Sequence, residues 1–216
     1  MAGPIGHLFL ALMVLAGPFQ GQFDRDSFLA GASFPDIRYL GVIERSQTHA
    51  VGVTVEQIKD EKDSFRAGML FHALVDQQGE EYMQQNKVYD LLPKKSMGIK
   101  YVKLIEDLIL RRYFKLNQNI LSIFDRLYPT EKQFGINDSD LWRWHRFLQV
   151  YLKAESGYDE LLALTSSVRP VLVPELVNKA VSGYFYQLFL RNIVEQVLSD
   201  PKLIAEISKF YLNYQP

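Results

Sequence analysis

The sequence contains no cysteine and only four histidines in 216 residues. The missing cysteines exclude disulfide bonds, thiolate metal sites and a cysteine nucleophile. A transition-metal site in this chain must therefore use histidine and carboxylate ligands. The absence leaves the compartment open, because a cytosolic protein and an exported protein without disulfides both fit it.

An excess of charge of one sign is also lacking, since the formal net charge is −1. Nothing in the composition indicates a basic surface for nucleic-acid phosphates. The apolar run at residues 8–16 is too short to cross a bilayer. It fits either a buried first helix or a cleaved signal peptide. No Lys or Arg precedes it, which favours the helix and a cytoplasmic protein, with export as the alternative.

Alternating β-branched runs are almost absent, and the 13 glycines and nine prolines only punctuate the chain. Apolar residues instead recur at steps of three and four, which predicts helices. We expect one all-α domain over residues 1–216, a multi-helix bundle. Residues 1–95 would carry the candidate site, and residues 96–216 would form a helical wall or lid that sets specificity.

Capping residues and breakers give approximate bounds for the helices. Asp63 or Ser64 is expected to start the longest early helix, and Asp200 with Pro201 the last one. A cluster of Glu106, Asp107, Arg111 and Arg112 is expected to face solvent. The predicted helices cover about residues 7–16, 24–32, 63–85, 96–115, 119–127, 141–154, 157–165, 174–198 and 201–211.

His72 and Asp76 are four residues apart in a helical pattern, so they share one face, one turn apart. Gly68 and Ala73 leave room beside that face. An imidazole and a carboxylate at this spacing can bind one metal ion. The alternative is a His–Asp pair that ties the helix to a neighbour.

Three further residues can join this pair: His7, Asp36 and His49. Together they make a donor set that suits zinc, and also manganese or iron. Each has a structural alternative. His7 can be a satisfied core histidine, and Asp36 can form an Asx turn beside Pro35.

Four short motifs carry these residues in a fixed order. They are Gly-x-x-x-His ending at His7, Gly-Ala-x-x-Pro-Asp ending at Asp36, Arg-x-x-Thr-His ending at His49, and Gly-x-x-x-His-x-x-x-Asp ending at Asp76. This series resembles the zinc-dependent phospholipase C family, which shares an all-α superfamily with the zinc-dependent single-strand nucleases. The resemblance covers residues 3–81.

The resemblance implies one zinc site of Asp36, His49, His72 and Asp76. It implies a neighbouring site of His7, Asp76 and the terminal amine, which Ala2 would present if Met1 is trimmed. One or two zinc ions would then activate a water to attack a phosphodiester, and Asp36 would accept its proton. A phospholipid head group is the first candidate substrate, with peripheral membrane contact.

The chain departs from the family at the third metal site. Tyr82 stands where a ligand histidine is expected, and Gln149 follows His145 where a carboxylate is expected. The third site is therefore absent or rebuilt. Glu80 and Glu81 either supply replacement oxygens or face solvent.

Four residues are candidates for binding substrate. Arg38 can bind a phosphate or orient a carboxylate, and Tyr82 can hydrogen-bond into the cleft. Trp142 and His145 share a helix face that forms either a cleft wall or part of the core. A non-catalytic metal-binding domain that binds a lipid or protein partner is the main alternative to an enzyme. A metal-free interaction protein is the third.

Overall fold

A computed structural model describes residues 2–92, 95–111, 113, 118–153 and 195–216. Within these residues the secondary structure is helical, with no strand, which confirms the all-α prediction. Short 3₁₀ helices cover Pro35–Leu40 and Ser122–Asp125. The α-helices are α1 Pro4–Ala16, α2 Arg25–Ser33, α3 Arg45–Thr48, α4 Val55–Asp60, α5 Ser64–Gln85, α6 Val88–Leu91, α7 Lys95–Leu110, α8 Gln118–Leu121, α9 Pro129–Lys132, α10 Asp138–Lys153 and α11 Pro201–Leu212.

The predicted caps of the two best-marked helices are confirmed. Asp63 accepts hydrogen bonds from the backbone N–H groups of Phe65 and Arg66 at the start of α5. Asp200 accepts them from the N–H groups of Lys202 and Leu203 at the start of α11. Residues 195–199 are also helical. The predicted helix at 157–165, and most of the one at 174–198, lie outside the described residues.

Helix α1 lies in the core, as the buried-helix interpretation predicted. It packs against α2, α5, α7 and α10, and Leu8 and Leu10 are fully buried. It begins at Pro4, three residues earlier than predicted, because Asp107 of α7 accepts the N–H groups of Ile5 and Gly6. None of the described helices has both the length and the apolar character needed to cross a bilayer.

The prediction that the charge cluster on α7 faces solvent is wrong for its two carboxylates. Glu106 and Asp107 are both buried. Asp107 also accepts a hydrogen bond from the Tyr151 hydroxyl, and it faces the positive end of α1. These partners offset part of the cost of burying its charge, but burial still raises the pKa of Asp107 above its ordinary value. Arg111 donates to the backbone of Tyr151, and Arg112 lies outside the described residues.

Helices α2 and α5 pack with their backbones in close contact. A Cβ atom at Gly68 of α5 would collide with the carbonyl oxygen of Phe28, and one at Gly31 of α2 would collide with that of Phe65. The room predicted beside Gly68 is therefore filled by α2 itself. This contact fixes α2, and the 3₁₀ helix that follows it, against the face that carries His72.

Candidate metal centre

The structure brings together the five predicted ligand residues at Asp76. The Nε2 atom of His7 lies 3.3 Å from Asp76 Oδ1, and those of His49 and His72 each lie 3.9 Å from Oδ2. All of these side chains are buried, as is Asp36. Residues far apart in the sequence thus meet in a buried cluster of imidazoles and carboxylates.

Four separate elements supply the cluster. His7 comes from α1, Asp36 from the first 3₁₀ helix, His49 from the end of α3, and His72 with Asp76 from α5. The ligand atoms form two triads, in each of which they lie within 4.8 Å of one another. One triad is His7, His72 and Asp76, and the other is Asp36, His49 and His72.

His72 is oriented by the backbone of α2. Its Nδ1 lies 2.8 Å from the carbonyl oxygen of Ala32, which can only accept a hydrogen bond. Nδ1 therefore carries the proton, and the lone pair is on Nε2. Burial lowers the pKa of His72 well below its ordinary value, so the ring is neutral, as a metal ligand must be. A carbonyl that fixes the tautomer is the usual support of a ligand histidine.

His49 has the same arrangement through Thr48. Its Nδ1 lies 2.9 Å from Thr48 Oγ1, and that hydroxyl can donate to the carbonyl of Pro35 at 3.3 Å. The hydroxyl then accepts the Nδ1 proton, which leaves the lone pair of His49 on Nε2. Burial lowers the pKa of His49 to about 4, so this imidazole is also neutral.

The donor atoms of the cluster fit a metal ion. The Nε2 atoms of His7, His49 and His72 are buried and have no hydrogen-bond partner among the described residues. Buried polar atoms are rarely left unpaired, and three convergent imidazole nitrogens are the donors that zinc prefers. The ring of His7 stacks on that of His72 with 3.6 Å between centroids. Ala2 donates its backbone N–H to Asp76 Oδ1 at 3.0 Å, on the side of His7.

Lys103 is part of this site, although none of the sequence motifs contains it. Its Nζ lies 3.2 Å from Asp36 Oδ2 and 3.9 Å from Asp76 Oδ2. Burial alone would raise the pKa of both carboxyl groups, but the Lys103 ammonium and the neighbouring His7 and His72 together outweigh it and hold both pKa values below their usual range. Its position in the sequence could have indicated this location, because Lys103 lies one residue after Val102 and two before Ile105, inside the buried part of α7.

Arg38 also lies at the site, 3.7 Å from Asp36 Oδ1. Its guanidinium donates to the Tyr39 hydroxyl and lies over the Tyr39 ring. The side chains of Arg38 and Lys103 are 20% and 19% exposed, whereas those of His7 and His72 are 1% exposed. These two cations therefore form the solvent-accessible edge of the cluster.

The other three predicted substrate residues are not in contact with the cluster. The Tyr82 hydroxyl donates to Glu206 on α11. His145 is buried with its Nε2 at 2.7 Å from Glu131, and Trp142 is 44% exposed and packs its ring against that of His145. Each thus has a partner that accounts for its position in the fold.

The positions considered for a third metal site have other partners. Glu80 accepts hydrogen bonds from Gln84 and Tyr89, and Glu81 is exposed. The side-chain amide of Gln149 donates to Asp125. Among the described residues, none of these positions brings another carboxylate to the cluster. An additional charged group beside it is Lys103.

The neutral imidazoles predict a specific pH dependence. Because the pKa of His49 is lowered to about 4 in the folded protein, only the unfolded chain takes up its proton as the pH falls below about 6.5. In the metal-free protein, His49 should therefore lower the free energy of unfolding as the pH falls from 6.5 to 4, by about 1.4 kcal/mol per pH unit. Urea unfolding in a chelator at several pH values measures the slope.

His49→Gln is the comparison that isolates this contribution. Burial raises the pKa of Glu106 to about 8. The contribution of Glu106 therefore has the opposite sign: it makes the folded state more stable as the pH falls from 8 towards 4.5. Wild type and variant share that contribution, and the difference between their slopes belongs to His49. Equal slopes would contradict a neutral His49 in the folded state.

Comparison with protein-family models, with curated proteins and with solved structures finds no match to this chain.

Proposed function

We propose that this protein is a metal-dependent phosphodiester hydrolase similar to the zinc-dependent phospholipases C. The observation that carries the proposal is the convergence of three buried imidazole Nε2 atoms, from His7, His49 and His72, on the Asp76 carboxylate. The four motifs that suggested the family contribute all of these residues. A purely structural cluster would be expected to satisfy its buried nitrogens with hydrogen bonds.

The residues that would hold an ion follow from the two triads. Asp36, His49 and His72, with Asp76 beside them, would hold zinc in one position. His7 and Asp76 belong to the second triad, where the nitrogen of Ala2 lies within hydrogen-bonding distance of Asp76. When bound, zinc lowers the pKa of water to near neutrality and polarises a phosphoryl oxygen.

The protein's own groups have distinct roles in this proposal. Asp36 stays ionised, so one of its oxygens can accept a proton from the attacking water. Arg38 and Lys103, at the accessible edge, would bind the non-bridging oxygens of the phosphate by charge-assisted hydrogen bonds. The burial of the histidines excludes bulk water, which strengthens these electrostatic interactions.

Lys103 also supports a second candidate function. It already neutralises part of the charge of Asp36 and Asp76, and so leaves less charge to draw a full set of ions. A reduced site of this kind suits a non-catalytic metal-binding domain that binds a lipid or protein partner. Hydrolysis assays on the zinc-loaded protein distinguish this candidate from the enzyme.

We expect the zinc-loaded protein to hydrolyse bis(p-nitrophenyl) phosphate or p-nitrophenylphosphorylcholine, and Asp36→Asn to lower kcat by roughly 100-fold at saturating zinc. Release of p-nitrophenolate measures the rate. Asp26→Asn, which changes an exposed aspartate of α2, is the control and should leave kcat unchanged. A protein that binds zinc and hydrolyses neither ester would favour the non-catalytic candidate.

A further inference from the structure

We propose that the Lys103 ammonium serves as the second cation of this site, so that the site holds one divalent ion and one lysine. The inference rests on the proposed metal site and deepens it. It concerns the number of ions, and it assigns a role to a residue that none of the four motifs contains.

The two triads share His72. Its Nδ1 is engaged by the Ala32 carbonyl, so Nε2 offers the only lone pair of the ring. One lone pair binds one ion. His72 therefore cannot complete both triads at once. Of the triad ligands, a second ion would have only His7 and Asp76, or only Asp36 and His49.

The position of Lys103 supports its role as a cation of this site. Its Nζ lies 3.2 Å from Asp36 Oδ2 and 3.9 Å from Asp76 Oδ2, so one ammonium faces both carboxylates of the cluster. An ion that bridged these aspartates would supply positive charge to the same two groups. Lys103 supplies it from a side chain anchored on α7, and a chelator cannot remove it.

Lys103 also affects the net charge that the site offers to a substrate. Arg38 contributes equally to both cases; without it, two aspartates with two divalent ions would carry a net charge of +2, whereas two aspartates with one ion and Lys103 carry +1. The lower charge is better matched to a phosphodiester, which has one negative charge, than to a monoester, whose second pKa is about 6. Lys103 thereby favours diesters as the substrate class.

The zinc content of Lys103 variants tests this inference. Elemental analysis after gel filtration in micromolar zinc should give one zinc per chain for wild type and for Lys103→Arg. Lys103→Glu, which places a third carboxylate beside Asp36 and Asp76, should bind two. Two ions in the wild-type protein, or one in Lys103→Glu, would overturn the proposal.

Zinc affinity provides a second measurement that does not depend on the Glu variant. Removing the ammonium with Lys103→Met should tighten zinc binding by about tenfold or more in a competition titration, because a nearby positive charge repels the ion. Lys132→Met removes a surface lysine paired with Asp138 and should leave the affinity unchanged. An unchanged affinity in Lys103→Met would also overturn the proposal.

The outcomes separate this inference from the proposed function. A wild-type protein that binds no zinc contradicts both. One zinc per chain without hydrolysis contradicts the enzyme and supports the role of Lys103. Two zinc ions with hydrolysis support the enzyme and contradict the role of Lys103.

Discussion

Replacing His72 with asparagine is expected to abolish tight zinc binding and hydrolysis while the helices stay folded. The asparagine amide nitrogen can keep the hydrogen bond that His72 Nδ1 makes to the Ala32 carbonyl, but it provides no counterpart of Nε2. His72 belongs to both triads, so no complete triad survives. Loss of a supporting partner alone weakens metal binding by about 10- to 100-fold, and loss of the ligand itself should exceed that range.

Thermal unfolding with and without zinc measures the change. A ligand at about 100 times its Kd stabilises a protein by about 2.7 kcal/mol, so zinc should raise the Tm of wild type and leave that of His72→Asn almost unchanged. His145→Gln is the matched control, because His145 is equally buried and hydrogen-bonded to Glu131 but lies outside both triads. A similar zinc-induced shift in His72→Asn and His145→Gln would contradict the site.

The sequence predicted which residues meet at this site, although it gave no distances. His72 and Asp76 were assigned to one face because helical periodicity is a local property. The other three residues were found through the order of the motifs, and the structure brings them to the same point. The helix starts at Asp63 and Asp200 were predictable for the same local reason, since a cap depends on its own first turn.

What the sequence could not supply was the tertiary packing of α7. Glu106 and Asp107 looked solvated because charged residues usually are, and their burial depends on where α1 begins and how α7 lies against it. Lys103 lies on that helix too. Its role depends on the distance between α7 and the first 3₁₀ helix, which no spacing within α7 encodes.

The site also depends on a contact that has no polar chemistry. Asp76 and His72 lie on α5, while the carbonyl that orients His72 belongs to Ala32 of α2. The separation of these helices is fixed by the glycines at their crossing. Packing and metal binding are therefore coupled, and a change far from any ligand atom should affect both.

Gly68→Ala should expose this coupling. The new Cβ would collide with the Phe28 carbonyl oxygen and lie 2.8 Å from the Ala32 nitrogen, and backbone atoms cannot move aside without separating the helices. We expect a loss of about 3 kcal/mol in the free energy of unfolding, at the upper end for overpacking. For a chain of this size that corresponds to a fall in Tm of roughly 6 to 12 °C.

Zinc affinity should fall in the same variant, by about tenfold or more, because the shift of Ala32 weakens the orientation of His72. Gly17→Ala is the control: its Cβ would meet only the Met13 carbonyl at 3.3 Å, far from the crossing, and both properties should change little. If Gly68→Ala lowered stability and left zinc affinity intact, the histidine would be held by something other than α2. A joint loss would mean that two helices held in contact by glycines set the geometry of the metal ligands.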